Sequence, residues 1–274
     1  MVMSINKDTV LCISLANRPS NLGTRFHNFL YEALDLNYIY KAFNPHSLNQ
    51  AIAGIRGLGI RGCAVSMPFK EEVIPLIDEM HPSAAAIQSV NTIVNTGGYL
   101  KAYNTDYIAI TNLLKKYRVS NQASFAVKGS GGMAKAVVYA LKNLGFENGI
   151  IVAKNKVKGE ELAKAHCGYK WKAELDEQDD IELLINATPV GMQDTPFAEQ
   201  LSYAESHIEN ASTIFDVVAI PERTPLIQYA KLQNKIVITG TEVFALQALE
   251  QFYLYTGIYP ESALFEAAKD FSRS

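Results

Sequence analysis

The segment Phe125-Ala126-Val127-Lys128-Gly129-Ser130-Gly131-Gly132-Met133-Ala134 constrains the fold more than any other part of this chain. Phe125 to Val127 is a short apolar run that predicts a buried strand, and Met133 to Leu144 carries helical periodicity. The glycine turn between them fits G-x-G-x-x-A, the dinucleotide fingerprint with alanine at its last position. Gly129 permits the tight turn, Gly131 lets the backbone approach a pyrophosphate, and Ala134 keeps the helix close to the sheet. Free N–H groups at the helix start, around Ser130, Gly132 and Met133, then favour an anion. A glycine-rich connection without a ligand is the plain alternative, but the position between strand and helix points to coenzyme binding. Nothing in the sequence explains Lys128, a charged residue at the end of a buried strand.

The same rhythm continues. Ile150-Ile151-Val152, Leu183-Leu184-Ile185, Ile214-Phe215-Asp216-Val217 and Ile236-Val237-Ile238 read as buried strands, with helical stretches near 159–165 and 226–232. Strand, helix, strand in this order predicts a parallel, doubly wound sheet. Before it, Val10 to Ser14 and Asn37 to Phe43 read as strands, and Asn21 to Leu36 and Leu48 to Leu58 as helices. Arg61 to Val65 reads as a strand ending at Ser66-Met67-Pro68, where a helix begins. Val90 to Val94 and Tyr99 to Tyr103 flank a hairpin turn, and Asn104-Thr105-Asp106 supply capping residues for a helix through Tyr117. Two helices, Val243 to Tyr255 and Glu261 to Phe271, end the chain. At roughly 150 residues per domain, 274 residues allow nearly two. The expectation is an α/β protein of two domains: an N-terminal α/β substrate domain (1–104 plus 240–274) and a Rossmann-type doubly wound domain (105–239).

Twenty-five Lys and Arg against 28 Asp and Glu leave a formal charge of −3, which argues against a nucleic-acid surface. No apolar run approaches the roughly 18 residues of a membrane span, and the N-terminus does not read as a signal peptide. A cytoplasmic protein, monomer or homodimer, acting on a small molecule is expected. Cys12, Cys63 and Cys167 offer no disulfide framework. The five histidines, His27, His46, His81, His166 and His207, show no metal-ligand spacing, so no metal is expected. His27 reads as a capping or packing residue, Cys63 as a buried small hydrophobe.

The strand after the glycine turn bears on the choice of coenzyme. An NAD site carries Asp or Glu about 20 residues beyond the first glycines, to hold the ribose hydroxyls. Here Ile150-Ile151-Val152 is followed by Ala153-Lys154-Asn155-Lys156-Val157-Lys158, with no acid. Cations there attract a 2′-phosphate, so NADP is expected. Lys154, first past the strand, and Asn155 are the candidates; Lys156 and Lys158 read equally well as a solvated face.

Three polar pieces of the first half stand out: Ser66-Met67-Pro68-Phe69-Lys70-Glu71, Val90-Asn91-Thr92 and Asn104-Thr105-Asp106. A lysine and an aspartate beside a hydride acceptor suit general acid/base work, since reducing a ketone also places a proton on its oxygen. Asn91 could orient the same hydroxyl. Taken singly, Lys70 reads as an exposed lysine in a helix's first turn and Asp106 as a cap.

Taken in order, these pieces with Ser89, Tyr103, the glycine turn and Asn186-Ala187-Thr188 resemble the shikimate dehydrogenase family over nearly the whole chain, most nearly its shikimate-dehydrogenase-like paralogues. The resemblance implies that the first domain binds shikimate and a Rossmann domain binds NADP. It implies Lys70 and Asp106 as the catalytic pair, with Ser66 and Asn91 on ring hydroxyls and Gln247 closing the substrate site. Thr188, Val217 and Gly240 fall among coenzyme positions, the last two lining the nicotinamide pocket.

One end of the substrate site departs from the family. The two serines that hold the substrate carboxylate, spaced Ser-x-Ser before a helix bearing His, align through His27 with Asn21-Leu22-Gly23. An alternative alignment through Ser14 gives Ser14-Leu15-Ala16, and a family tyrosine falls on Ala219. The expectation is that Asn21, with Ser20 or with Arg18 or Arg25, receives the carboxylate differently or receives another group. The expected reaction interconverts 3-dehydroshikimate and shikimate, or a close relative, with NADP. The alternatives are a quinate-type or other polyol acid dehydrogenase, and a ligand-binding regulator with vestigial catalysis.

Overall fold

Alternation along Val10–Leu15 (β1) sends Cys12 to one face of a sheet and Ile13 and Leu15 to the other, and every one of these side chains is buried. β1 pairs in parallel with Tyr38–Phe43 (β2) and Gly62–Val65 (β3). Two helices make the crossovers, Leu22–Ala33 (α1) and Leu48–Gly57 (α2). Beyond β3, the short helix Phe69–Glu72 (α3), the strand Glu79–Met80 (β4) and the helix Pro82–Ala85 (α4) lead to the hairpin Thr92–Thr96 (β5) and Tyr99–Tyr103 (β6). β5 runs antiparallel to β3, so the sheet order is β2-β1-β3-β5-β6-β4.

The structure is a computed structural model describing residues 5–165 and 168–274. His166 and Cys167 lie outside the described residues. The chain forms two compact units: the chain as far as Thr105 with Ala245–Ser274, and Asp106–Phe244. In the first, Ile13, Leu15, Cys63, Val65, Ile93 and Leu100 pack on one sheet face with Ile52 and Ile55 of α2. The opposite side gathers rings: His27 stacks on Tyr40 at 4.4 Å, and Tyr31 on Phe252 at 5.5 Å.

The helix Thr105–Lys116 (α5) leads into the second unit, which begins at Asp106. Then come Phe125–Lys128 (β7), Gly132–Asn143 (α6), Gly149–Val152 (β8), Lys156–Ala165 (α7) and Lys170–Lys172 (β9). Leu183–Asn186 (β10), Glu205–Asn210 (α8), Thr213–Asp216 (β11), Pro225–Leu232 (α9) and Ile236–Thr239 (β12) complete an all-parallel sheet ordered β12-β11-β10-β7-β8-β9. Counted within the unit this is 3-2-1-4-5-6, the doubly wound order, and the order reverses beside β7. A ligand crevice belongs at the carboxyl end of such a strand, where Gly129 stands. Gly240–Thr256 (α10) and Ser262–Arg273 (α11) follow. α11 packs on α1, with Phe271 and Phe29 centroids 5.1 Å apart. Among the described residues, no helix is long and apolar enough to cross a membrane.

Some boundaries differ from the sequence reading. α1 ends at Ala33 rather than Leu36, where Asp35 turns to a φ of 51°. β5 starts at Thr92 rather than Val90. β4, α4, β9 and α8 were not foreseen; each is six residues or shorter, below the length at which periodicity shows. α5 begins at Thr105, so Thr105 and Asp106 sit inside its first turn rather than ahead of it.

Candidate active site

In the first unit a buried polar network assembles around Asn91, which is 2% exposed. Its Oδ1 accepts from the Thr105 backbone N–H at 2.8 Å and from the Thr92 hydroxyl at 2.8 Å. Its Nδ2 donates to Thr105 Oγ1 at 3.0 Å. Thr105 Oγ1 lies 3.4 Å from Gln247 Oε1 on α10. Asn104 donates its side-chain amide to the Ser89 carbonyl at 2.8 Å and its backbone N–H to Ser83 Oγ at 3.1 Å, so it pins the end of β6 to the 83–89 segment. Buried polar groups of this kind are costly unless satisfied, so these bonds hold the Asn91, Thr92 and Thr105 side chains in place.

Lys70 connects to the same network through its backbone: the Val90 N–H donates to the Lys70 carbonyl at 2.8 Å, one residue before Asn91. Asp106, 4% exposed, follows Thr105 in the chain. Ser66 is exposed just past β3, its N–H bonded to the Leu15 carbonyl and its own carbonyl accepting from Phe69 N–H, which starts α3. The sequence-predicted residues Ser66, Lys70, Asn91 and Gln247 thus belong to one unit.

At the start of α1, Asn21 occupies the N-cap position without a side-chain capping bond and is exposed. A Cβ placed on Gly23 would meet Tyr40 at 3.5 Å, ordinary contact. His27, one face of α1 further in, is fully buried and packs among rings; neither ring nitrogen has a hydrogen-bond partner. Burial pushes it down to about 3, so it is a neutral packing residue. Burial likewise pushes the Cys63 thiol well up, as expected of an inert cysteine.

In the second unit the glycine turn has the geometry its sequence demands. Gly129 has a φ of +130°, and a Cβ there would stand 2.8 Å from the Ala187 carbonyl oxygen, so only glycine fits. Gly131 caps α6 with nothing within 4 Å of where a Cβ would be, which leaves open space over the helix start at Gly132 and Met133. Lys154 is exposed two residues past β8. Asn155 caps α7, its Oδ1 accepting from Lys158 N–H at 3.1 Å. Lys156 lies over Trp171 and within 3.9 Å of Glu160. Lys128 is now explained: its ammonium pairs with Glu174 at 3.1 Å and lies over the Tyr203 ring.

Sequence reasoning gave no role to Asp216, which is fully buried at the end of β11. It accepts from the Thr224 hydroxyl at 2.6 Å, the Val218 N–H at 3.1 Å and Asn186 Nδ2 at 3.0 Å. Burial pushes it up to about 6 against those three bonds. Asn186 Oδ1 in turn accepts from Thr188 N–H and hydroxyl. This cluster shapes the backbone around Thr188 and Val217, where the Val217 N–H also bonds the Asn186 carbonyl. A Cβ on Gly240 would fall 2.4 Å from the Val217 carbonyl oxygen, so α10 starts in contact with this strand end. An acid at the end of an otherwise apolar strand was the available signal. Among the described residues, no group of His, Cys, Asp and Glu is placed to hold a metal ion.

The strand order and glycine turn define a doubly wound α/β protein joined to a second, mixed-sheet α/β unit. The family model for the shikimate dehydrogenase substrate binding domain matches residues 20–93. The shikimate dehydrogenase-like protein of Haemophilus influenzae is 53% identical over 98% of this chain and 99% of its own length. The solved structure of a shikimate 5-dehydrogenase-like protein, 52% identical, superposes with a TM-score of 0.91 over 99% of this chain and all of that one. A shikimate dehydrogenase in complex with NADP+, 27% identical, gives 0.86 over 97% of this chain and 96% of the other. The chain belongs to the shikimate dehydrogenase family.

Proposed function

We propose that this chain is an NADP-dependent oxidoreductase interconverting 3-dehydroshikimate and shikimate, or a closely related cyclic polyhydroxy acid. The first unit is the substrate domain and the second the coenzyme domain. The observation that carries the reading is the buried network that ties Lys70, through Val90, to Asn91, and Asn91 to Thr105, the neighbour of Asp106. On this reading Lys70 and Asp106 sit on backbone segments bonded or adjacent to those that carry Asn91 and Thr105, which supports their working on the same hydroxyl.

The coenzyme fits what the second unit offers: an open helix start at Gly131 to Met133, a lysine and no acid past β8, and backbone at Thr188 and Val217 held by Asn186 and Asp216. NADP, when bound, supplies or accepts the hydride. Lys70, assisted by Asp106, gives a proton to the substrate oxygen in reduction and takes it back in oxidation. Asn91 and Ser66 hold ring hydroxyls, and Gln247 closes the substrate site.

A quinate-type substrate is the second reading. It is favoured by the carboxylate end, where Asn21 and Gly23 replace two serines and Ala219 a tyrosine. Initial rates with shikimate and quinate, each with NADP+ and NAD+, decide between them. The highest kcat/KM is expected for shikimate with NADP+. A clear preference for quinate establishes the second reading, and no turnover with either acid overturns both.

A further inference from the structure

One helical turn beyond Gln247, Gln251 lies on α10, 3% exposed, and no family motif quoted above includes it. Both hydrogens of its amide nitrogen are committed: one to the Asn91 carbonyl at 3.2 Å, the other to Thr92 Oγ1 at 3.0 Å. A threonine hydroxyl that accepts from an amide turns its single hydrogen elsewhere. Here the acceptor is Asn91 Oδ1, 2.8 Å away. That oxygen then has Thr92 Oγ–H and Thr105 N–H as donors at 2.8 Å, with Thr105 Oγ1 also within 3.3 Å, while one Nδ2 hydrogen is used on Thr105 Oγ1. The second Nδ2 hydrogen has no acceptor among the described residues.

We propose that Gln251 is a positioning residue for the substrate site: acting through the Thr92 hydroxyl, it holds the Asn91 amide so that one N–H faces the ligand as a donor to a ring hydroxyl oxygen. The proposal rests on the reading of Asn91 as a substrate contact, and it adds the direction of the bond, with protein as donor and ligand as acceptor. His27 on α1 is the titratable group beside Gln251 on the far side, and it stays neutral above about pH 3.

The test replaces Gln251 in the full chain. Gln251→Met removes the donor without adding charge; Gln251→Glu supplies a carboxylate that accepts the Thr92 hydrogen and so turns it away from Asn91. A protonated glutamic acid again donates. With shikimate and NADP+, Gln251→Met is expected to lower kcat/KM about tenfold, mainly through KM, with the wild-type pH profile. Gln251→Glu is expected to lose more than tenfold at pH 8 and to regain part of it as pH falls. Independently of any substrate, the Asn91 side-chain amide in [15N]asparagine-labelled protein, assigned by its loss in Asn91→Asp, should titrate in Gln251→Glu and not in wild type. Wild-type rates and pH profiles in both variants, or an Asn91 signal that does not titrate, overturn the proposal. Absence of shikimate turnover in the wild-type protein, with the Asn91 titration present, overturns the substrate reading and leaves the orienting role standing.

Discussion

Three residue positions, Asn21, Gly23 and Lys154, carry the proposed contacts to the substrate carboxylate and the coenzyme phosphate, and they give two tests. Under the alignment through His27, Asn21 and Gly23 are proposed to stand where two hydroxyls hold a carboxylate in the family pattern, and the space at Gly23 accepts a Cβ at ordinary contact distance. The Asn21→Ser/Gly23→Ser variant is therefore expected to fold and to bind shikimate more tightly. Each restored bond to a charged group is worth about 1.5–3 kcal/mol, so KM should fall at least tenfold; an unchanged KM would mean the carboxylate lies elsewhere. Lys154 is the third position. Lys154→Ala is expected to raise KM for NADP+ by about tenfold or more, one charge-assisted bond, and to leave KM for NAD+ unchanged. Equal effects on both coenzymes would remove Lys154 from the phosphate site. Lys70 and Asn91 stood out only together with the other motifs in chain order, whereas Gly129 was legible as a single residue because an obligatory glycine leaves a local signature. Gln251, Thr92 and Asp216 were not, because their roles depend on partners distant in sequence.

At the scale of elements, the long helices and central strands follow from periodicity alone, while β4, β9 and α8 exist through tertiary pairing of short, polar segments. α1 shows what periodicity cannot settle. His27 occupies an apolar position of that helix and is as buried as Phe26 and Leu30. Its folded value near 3 lies below the ordinary 6.5, so the unfolded chain binds a proton that the folded one refuses between those values. Stability from this site is present above pH 6.5 and is lost as pH falls towards 3. His27→Phe, which keeps the stacking on Tyr40, is expected to flatten the acid limb of a urea-unfolding series by up to about 1.4 kcal/mol per pH unit in that window. Parallel pH dependence in the two proteins would show that His27 does not titrate on unfolding. Asp216 works in the opposite direction. Its folded value near 6 is raised, so its contribution is full below about pH 4 and lost as pH rises through 6.

At the scale of the whole molecule, the doubly wound order of the second unit was readable from strand–helix alternation, and the mixed sheet of the first was not. Antiparallel pairing of β3 with β5 has no local signal beyond the Gly97-Gly98 hairpin that follows it. Five motifs in chain order carried the family, whereas composition carried only exclusions. On the function proposed above, Lys70 passes the proton while NADP exchanges the hydride. This division of roles is tested most directly by following NADPH formation from NADP+ and shikimate in wild type and in Lys70→Ala, with NADP+ affinity measured alongside. The expected result is turnover in the wild type, a fall of 10²–10⁴-fold in kcat for the variant, and unchanged NADP+ binding. Turnover that survives in Lys70→Ala would contradict it.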